Sequence, residues 1–316
     1  MNTDGLIERM IAIVAEGGRL ALSLINDSAP SLKPDRSVLT KADGAVSRMA
    51  RERLADLLQT GEHILVDEED ENNAQYFRPE IFNPAPQKSP VLRPVMEQCG
   101  ASGRAHGAPA FRPGGTTQTP FIWSIDPIDG TRPYSNRMPL FGVSLGLLKE
   151  RRPFLGVVYF PSLGELFVAD GKNAYFVEKA FTSQEKRTEI VPLDQTITPQ
   201  SVYFISDNFF KNFSWDYGCC PIMAPSCAVV DLCWPSIGRG CGCFFNANLW
   251  DFAGAWPILR AAGLDMRALT TGQVLEQIER EHLIGDAKKT WFLKDYFVVS
   301  SARNFPILQQ AISAKK

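Results

Sequence analysis

The stretch Trp123-Ser-Ile-Asp126-Pro-Ile-Asp129-Gly130-Thr131 decides how this chain folds, because its pattern is typical of a buried β-strand that runs into a tight turn. Asp126 and Asp129 arrive together at the end of the strand, and crowded carboxylates repel each other unless protons or cations lie between them. At neutral pH, hard divalent cations, which prefer oxygen ligands, meet this need. Gly130 allows a close approach of the backbone, Thr131 adds a hydroxyl group, and the amides that follow suit a phosphate. The stretch therefore predicts a metal site that faces an anion.

The composition is ordinary for a globular protein. The chain has 316 residues, of which 45% are apolar and 22% are charged, and its net charge is -2. A chain of this length can bury a large core and is expected to form two lobes. No apolar run approaches the roughly 20 residues that span a bilayer, and the stretch from Met1 to Met10 is too polar for a secretory signal. We therefore expect a cytoplasmic protein that binds neither nucleic acid nor membranes.

Further acids stand at the ends of predicted elements. Asp43 precedes an apolar pattern over residues 45–58 and is predicted to be the N-cap of that helix. The apolar strand His63–Val66 ends in four consecutive acids, Asp67–Asp70, at the kind of strand end where ligands gather. Asp251 opens a long apolar helix and is predicted to be its N-cap, although a carboxylate at the start of a buried helix is costly unless it has a partner. Capping does not exclude metal binding for either residue.

Short β-branched and aromatic runs between residues 140 and 177 predict an antiparallel sheet. The polar stretch 181–200 suits a connection, so we expect an N-terminal α+β lobe over residues 1–195 and a C-terminal α/β lobe over residues 196–316. The first lobe is interrupted by residues 71–120, which hold eight prolines and almost no periodicity. This segment is either a functional lid or a mobile insertion. Its cationic residues, which could meet an anionic substrate, are Arg78, Lys88, Arg93, Arg104, His106 and Arg112.

Six of the seven cysteines fall between Cys219 and Cys243. A zinc or iron–sulfur site and a set of reduced, mostly buried thiols are the two interpretations. The spacings in Cys219-Cys220 and Cys241-Gly-Cys243 are too short for the cysteine pairs of structural zinc sites, and no histidine stands near them. The spacing therefore favours reduced thiols.

Four fragments occur in the order found in one family. Asp43, Asp67-Glu68-Glu69, Asp126-Pro-Ile-Asp129-Gly130-Thr131 and Trp250-Asp251-Phe-Ala-Gly254 together resemble the inositol monophosphatase family, the lithium-sensitive, magnesium-dependent phosphomonoesterases. The resemblance runs from the first helix to the last strand and excludes residues 71–120. It implies a mixed α+β and α/β fold, the layered αβαβα sandwich of the inositol monophosphatase and fructose-1,6-bisphosphatase type. It also implies Mg²⁺-dependent hydrolysis of a small phosphate monoester, and members are commonly homodimers.

The resemblance implies a role for each acid around two or three Mg²⁺ ions. The first ion would be held by Glu68, Asp126 and the carbonyl of Ile128, the second by Asp126, Asp129 and Asp251, and a weaker third by Glu68 and Glu69. Asp43 and Thr131 would orient and deprotonate the attacking water, and Glu68 would share in catalysis. The amides of Gly130 and Thr131 would hold phosphate oxygens. The chemistry agrees, because a bound divalent ion lowers the pKa of its water and clamps the phosphoryl oxygens.

The chain departs from the family mainly where the alcohol would leave. Ser226-Cys227 replaces a glycine followed by serine or threonine, and Asn246 stands where members place a glutamate. Arg132 continues the turn as in the histidinol-phosphate and nucleotide-phosphate branches, and Asp67 replaces a glycine, which adds an acid beside the metals. The expected substrate contacts are Gly130, Thr131, Arg132, Ser226 and Asn246. Inositol phosphates, histidinol phosphate and nucleotide or sugar bisphosphates therefore all stay open as substrates.

The acids allow two other interpretations. A haloacid-dehalogenase phosphatase also contains Asp-Gly-Thr, but it needs a nucleophilic aspartate two residues before the second aspartate, and Pro127 occupies that position. A metal-binding but catalytically silent member, acting as a binding or regulatory protein, stays open beside the phosphatase.

Overall fold

The computed structural model describes residues 3–27, 31–32, 38–82, 120–193, 196–286 and 289–315. Its α-helices are α1 (Thr3–Leu24), α2 (Lys41–Arg53), α3 (Ala55–Leu58), α4 (Pro79–Phe82), α5 (Thr131–Ser135), α6 (Phe209–Asn212), α7 (Ala228–Cys233), α8 (Leu249–Phe252), α9 (Trp256–Ala261) and α10 (Phe305–Ala311). Short 3-10 helices cover Asn73–Tyr76, Trp234–Ile237 and Arg280–His282.

The strands are β1 (Ser31–Leu32), β2 (Val38–Leu39), β3 (His63–Asp67), β4 (Phe121–Asp129), β5 (Gly142–Lys149), β6 (Arg152–Phe160), β7 (Glu165–Ala169), β8 (Ala174–Glu178), β9 (Lys186–Ile190), β10 (Tyr203–Ile205), β11 (Phe213–Trp215), β12 (Ile222–Met223), β13 (Cys243–Phe245), β14 (Asp265–Ala268), β15 (Phe297–Ser300) and β16 (Ile312–Ala314). Two larger sheets contain most of them. The pairs β1–β2 and β11–β16 form separate two-stranded sheets.

The larger sheet has seven strands in the order β3-β4-β5-β6-β7-β8-β9. β3 and β4 are parallel, and the other pairs are antiparallel. The antiparallel sheet predicted between residues 140 and 177 is confirmed. The prediction of a connection over residues 181–200 is wrong for β9, which is an edge strand of this sheet. Only Ile190 of β9 is buried, so its sequence lacks the apolar alternation that marks a strand.

Helices α1 and α2 cover one face of the seven-stranded sheet. α1 packs against β5 and β6, and α2 packs against β4. Trp123, Leu145 and Val157 of the sheet share one apolar core with Met10 of α1 and Val46 of α2. All five side chains are fully buried, and burying each contributes about 1.5–3 kcal/mol. This core fixes α2, the helix that carries Asp43, to the strand that ends at Asp129.

The opposite face of this sheet is covered by α7, α8 and α9. On their other side, α7 contacts β13 of the second sheet, and Phe252 of α8 packs against Phe245 of β13. The second sheet has five strands in the order β12-β10-β13-β15-β14. In β13, Cys243 and Phe245 belong to the core around the middle helices, whereas Phe244 belongs to the core that contains Leu308 of α10. Because alternate residues of a strand face opposite sides, α10 lies beyond the second sheet. The order helix, sheet, helix, sheet, helix confirms the predicted αβαβα sandwich.

Two glycines let the middle helices approach the first sheet closely. A Cβ on Gly146 of β5 would lie 2.4 Å from the backbone carbonyl carbon of Ala253, and a Cβ on Gly156 of β6 would lie 2.1 Å from the carbonyl oxygen of Gly254. No side chain fits in either space. The turn between α8 and α9 therefore lies directly on the sheet, which brings α8 beside β4.

Residues 71–82 belong to the folded body, so the prediction of a structureless insertion that starts at residue 71 is wrong for them. Phe82 is buried and packs against Trp291, with ring centroids 6.0 Å apart. The indole nitrogen of Trp291 donates to the carbonyl of Asn73 at 3.2 Å. Residues 83–119 lie outside the described residues, so the functional lid and the mobile insertion both stay predictions. The cationic residues that also lie outside are Lys88, Arg93, Arg104, His106 and Arg112.

The division into lobes 1–195 and 196–316 stays a prediction. Along the described ranges, no helix combines the length and the apolar character needed to cross a membrane. The six cysteines between Cys219 and Cys243 are free thiols, and five of them are buried.

Candidate active site

A β-bulge turns Asp126 and Asp129 toward the same side of β4. Asp126 pairs with Ser144 and Asp129 pairs with Gly142, so three steps along β4 match two steps along β5. In a regular strand, residues three apart face opposite sides, and the extra residue of a bulge cancels that alternation. Pro127, which has no backbone N–H for the ladder, lies inside the bulge. The two carboxylates can therefore act on one site.

The turn after β4 requires glycine. Gly130 has a φ of +84° and is the N-cap of α5, and a Cβ on it would lie 2.7 Å from the carbonyl oxygen of Leu140. The Thr131 hydroxyl donates to the carbonyl of Ile128 at 3.0 Å. The Ile128 amide donates to a carboxylate oxygen of Asp126 at 3.1 Å. These local hydrogen bonds hold the start of α5 beside the two acids.

Asp251 reaches the same site from α8. One carboxylate oxygen from each of Asp126, Asp129 and Asp251 lies within 4.8 Å of the others. The prediction that Asp251 is an N-cap is wrong, because Asn248 is the N-cap of α8 and Asp251 occupies the third helical position. There the Asp251 carboxylate accepts the backbone N–H of Asn248 at 2.7 Å. This capping box fixes the side chain at the edge of the sheet.

Burial and mutual repulsion make these acids hard to ionise without a cation. Burial raises the pKa of Asp126 well above its usual value, and the charges of neighbouring acids raise it further. Burial raises the pKa of Asp129 to about 7. The pKa of Asp251 is raised by burial first and then by the charges of Asp129 and Glu68. Ionising the three together costs free energy until a cation lies between them.

Glu68 enters the site at the end of β3. The parallel register of β3 and β4 places Asp67 opposite Ile125, and the Glu68 amide donates to the Ile125 carbonyl at 3.3 Å. Glu68 is close enough to Asp126 that its charge and its side-chain hydrogen bond both raise the pKa of Asp126. Glu69 follows in the same turn and is half-buried. Its role toward a metal stays a prediction.

Asp43 lies at the third position of α2, so the prediction that it caps a helix from residue 45 is wrong. Thr40 is the N-cap, and its backbone N–H donates to the Asp43 carboxylate at 2.8 Å. The physical reason is the capping box, in which the acid follows the cap by three residues. Asp43 is fully buried. Burial, together with the nearby charge of Asp43, raises the pKa of Tyr134 to about 12, and Tyr134 belongs to the helix that starts at Thr131.

The donor set fits a hard divalent cation. Among the described residues, Asp126, Asp129 and Asp251 form the only group of three or more acidic, histidine or cysteine side chains close enough to share an ion. All their ligand atoms are carboxylate oxygens, which Mg²⁺ and Ca²⁺ prefer. Asp129 Oδ1 is buried and has no hydrogen-bond partner among the described residues. A cation at this position would satisfy that oxygen.

Asp207 joins two of the predicted substrate contacts. It forms an ion pair with Arg132 through one oxygen, and its other oxygen accepts the Ser226 hydroxyl at 2.6 Å. The Asn246 side-chain amide donates to two backbone carbonyls of the segment 293–295, at 2.8 and 2.7 Å. Each of the three predicted residues therefore has at least one side-chain partner within the protein. Their roles as substrate contacts stay predictions.

Three residues near the acids had no assigned role in the sequence interpretation: Asp207, Cys227 and Val229. The Cys227 thiol lies 3.6 Å from the carbonyl oxygen of Asp129, and the next turn contributes the Val229 amide, which donates to the Asp129 carboxylate at 3.2 Å. Asp207 follows β10, and the rule that ligands gather at strand ends could have drawn attention to it. The contact of Cys227 depends on long-range packing and leaves no local signal.

Curated relatives match about half of this chain. A protein named fructose-1,6-bisphosphatase/inositol-1-monophosphatase from Aquifex aeolicus is 34% identical over 152 residues, which are 45% of this chain and 55% of that protein. Inositol monophosphatase 1 of Homo sapiens is 32% identical over 161 residues, which are 48% of this chain and 56% of that protein. The chain thus spans about half the length of the curated relatives it matches.

The structure and a family model extend the likeness to nearly the whole chain. The native crystal structure of the extragenic suppressor protein SuhB from Bartonella henselae superposes with a TM-score of 0.65 over 97% of this chain and 98% of that chain. At 17% identity this likeness shows the fold. The model of the inositol monophosphatase family matches residues 7–303, a span that includes every acid of the site. The chain therefore belongs to the inositol monophosphatase family.

Proposed function

We propose that this protein hydrolyses a small phosphate monoester with the help of Mg²⁺. The observation that carries the proposal is the meeting of three carboxylates from β4 and α8 within 4.8 Å, next to the Gly130–Thr131 turn. Phosphoryl transfer needs little covalent help and depends on positioning and on neutralising charge. A phosphoric monoester hydrolase is also the activity that family membership supports.

Six groups would hold two or three Mg²⁺ ions: Glu68, Glu69, Asp126, the carbonyl of Ile128, Asp129 and Asp251. When bound, Mg²⁺ lowers the pKa of a water molecule and stabilises charge on the phosphoryl oxygens. The protein's part is to hold the acids at fixed positions. The β-bulge and the capping box of α8 do this by orienting side chains from two distant segments.

Asp43 and Thr131 would act on the attacking water. The Thr131 hydroxyl donates a hydrogen bond to the Ile128 carbonyl, which leaves its oxygen free to accept a hydrogen bond from the water and orient it. Asp43, buried beside α5, is the nearby carboxylate that would accept the proton that the water loses. The amides of Gly130 and Thr131, at the start of α5, have no partner one turn earlier in the helix and would donate to phosphate oxygens.

The leaving alcohol would face the cluster formed by Arg132, Asp207 and Ser226. This cluster offers a guanidinium, a carboxylate and a hydroxyl group, so it suits a polar or charged alcohol. Inositol phosphates, histidinol phosphate and nucleotide or sugar bisphosphates all meet that description. We propose a small molecule as partner, and the net charge of -2 gives no attraction to nucleic acid. Cytoplasmic location and a homodimer stay predictions, to be measured by fractionation and sedimentation.

A substrate panel tests the proposal. Phosphate release is measured from inositol phosphates, histidinol phosphate, fructose 1,6-bisphosphate and adenosine 3′,5′-bisphosphate, with Mg²⁺ and with a chelator. We expect release from at least one ester and its loss on chelation. The Asp56→Asn variant, altered at a surface ion pair with Arg9, serves as the control and should match the parent. Release that persists with chelator would contradict the role of metal, and no release from any ester would favour a silent binding protein.

A further inference from the structure

Asp67 is a fully buried carboxylate placed directly before Glu68 and Glu69. Both of its oxygens accept hydrogen bonds from the protein. Oδ1 accepts the backbone N–H of Glu69 at 3.1 Å. Oδ2 accepts the Ser47 hydroxyl at 2.6 Å and a guanidinium N–H of Arg51 at 3.1 Å. Asp67 therefore does not serve as an extra acid beside the metals, as its sequence position suggested, because its oxygens are already engaged.

The donors to Oδ2 share a helix face with Asp43. Asp43, Ser47 and Arg51 follow one another at four-residue spacing on α2, and residues at this spacing lie on the same face of a helix. The Asp67 carboxylate therefore joins the face that carries Asp43 to the segment that carries Glu68. Each of these two acids comes from a separate element, and Asp67 provides a direct link between them.

The turn around Asp67 is held at several further points. Arg51 also forms an ion pair with Asp70 at 3.1 Å. The Asn73 side chain accepts the backbone N–H of Asp67 at 3.1 Å and donates to its carbonyl at 2.5 Å. These contacts restrain the backbone from residue 67 to residue 70. The side chain of Asp67 reaches both α2 and the Glu69 amide.

We propose that Asp67 is a positioning residue that fixes the Glu68–Glu69 segment relative to Asp43, and so sets the affinity of the site for divalent cations. This inference rests on the proposed function for its effect on rate. Its effect on metal binding can be measured even if no substrate is found. Groups that orient metal ligands are commonly worth 10- to 100-fold in metal affinity or activity.

The test compares Asp67→Asn and Asp67→Gly with Asp70→Asn. Asp70 shares the turn and the Arg51 partner but does not contact Ser47 or the Glu69 amide, so it is a matched control. Titration calorimetry with Mg²⁺ and with Mn²⁺ measures affinity in the full chain without substrate. We expect the two Asp67 variants to bind at least about 10-fold more weakly, and Asp70→Asn to bind within about threefold of the parent. With an active substrate, kcat at fixed Mg²⁺ should fall while KM changes little.

Two results would overturn the proposal. One is metal affinity in both Asp67 variants equal to that of Asp70→Asn. The other is a parent protein that binds neither cation. If the Asp67 variants fail to fold, Ser47→Ala removes the same link from the helix side and should weaken metal binding without abolishing folding. Unchanged affinity in Ser47→Ala would then count against the proposal. A parent that binds metal but hydrolyses nothing would remove the proposed function and leave the role of Asp67 in metal binding to stand.

Discussion

Removing metal should reverse the usual dependence of stability on pH. Burial raises the pKa of Asp129 from 3.8 to about 7 in the folded protein. Between these values the unfolded chain has lost a proton that the folded chain still holds. The folded state binds more protons, so the free energy of unfolding falls as the pH rises through this window. A carboxylate in an ordinary ion pair has the opposite effect, and at lower pH.

The magnitude follows from the same numbers. At about 1.4 kcal/mol per pH unit, the difference between 3.8 and about 7 for Asp129 corresponds to roughly 4 kcal/mol. The change in the free energy of unfolding between pH 5 and pH 7 is about 3 kcal/mol of this total. His63 acts in the opposite direction, because burial lowers its pKa below 6.5 and stability then rises with pH. This contribution is common to the parent and to an Asp129→Asn variant, and it cancels in their difference.

The assay is chemical denaturation of chelator-treated protein at pH 5, 6, 7 and 8, for the parent and for Asp129→Asn. We expect the parent to lose about 3 kcal/mol relative to the variant across this range. Saturating Mg²⁺ should remove most of that loss, because cation binding favours the ionised acids and stabilises the folded state. Parallel pH profiles for the two metal-free proteins would refute the reasoning, since they would mean that Asp129 is ionised in the folded state without a cation.

Three further changes have defined outcomes. Gly130→Ala would combine a left-handed backbone with a Cβ 2.7 Å from a carbonyl oxygen, so the free energy of unfolding should fall by about 2–5 kcal/mol. Gly44→Ala, inside α2, should be neutral or stabilising in the same denaturation assay. Phe82→Ala should cost about 3–5 kcal/mol by leaving a cavity beside Trp291, whereas Phe181→Ala, at an exposed position, should change the denaturation midpoint little. Lithium at millimolar concentration should inhibit phosphate release, as the family resemblance implies, and an unaffected rate would indicate that the second metal position differs.

The acids could be found from the sequence because each stands at the end of an element. Asp126 and Asp129 lie at the end of a strand, and Glu68 directly follows its parallel neighbour, so strand order alone brings them to one edge. The bulge at Pro127 is what places Asp126 and Asp129 on the same side, and nothing short of the pairing register reveals it. The local motif therefore predicted which residues would meet and left open how they do so.

The capping errors have a common cause. Aspartate is favourable both at the N-cap and within the first turn, so composition alone does not separate the two positions. Thr40 three residues before Asp43, and Asn248 three residues before Asp251, form the capping-box spacing that does separate them. Applying that rule to the sequence would have given both helix starts correctly.

Other features depend on long-range packing and leave little trace in local sequence. β9 is an edge strand with exposed side chains, so its polar sequence resembles a loop. The link from Ser47 to Asp67 spans 20 positions in the chain, and that between Asp207 and Arg132 spans 75. Polar and charged residues that meet across such distances look like ordinary surface residues until the fold is known.

We propose that Asp126, shared between the proposed metal positions, makes hydrolysis depend on a divalent cation. The most direct measurement is the Mg²⁺ dependence of phosphate release by the parent and by Asp126→Asn, on the best ester of the panel and with circular dichroism to confirm folding. Asp126→Asn should lose several kcal/mol of the stabilisation that the metal gives to the transition state. Its rate should therefore fall by on the order of a thousandfold or more, and high Mg²⁺ should not restore it. A folded Asp126→Asn protein that releases phosphate at the parent rate, with the same Mg²⁺ requirement, would contradict the claim.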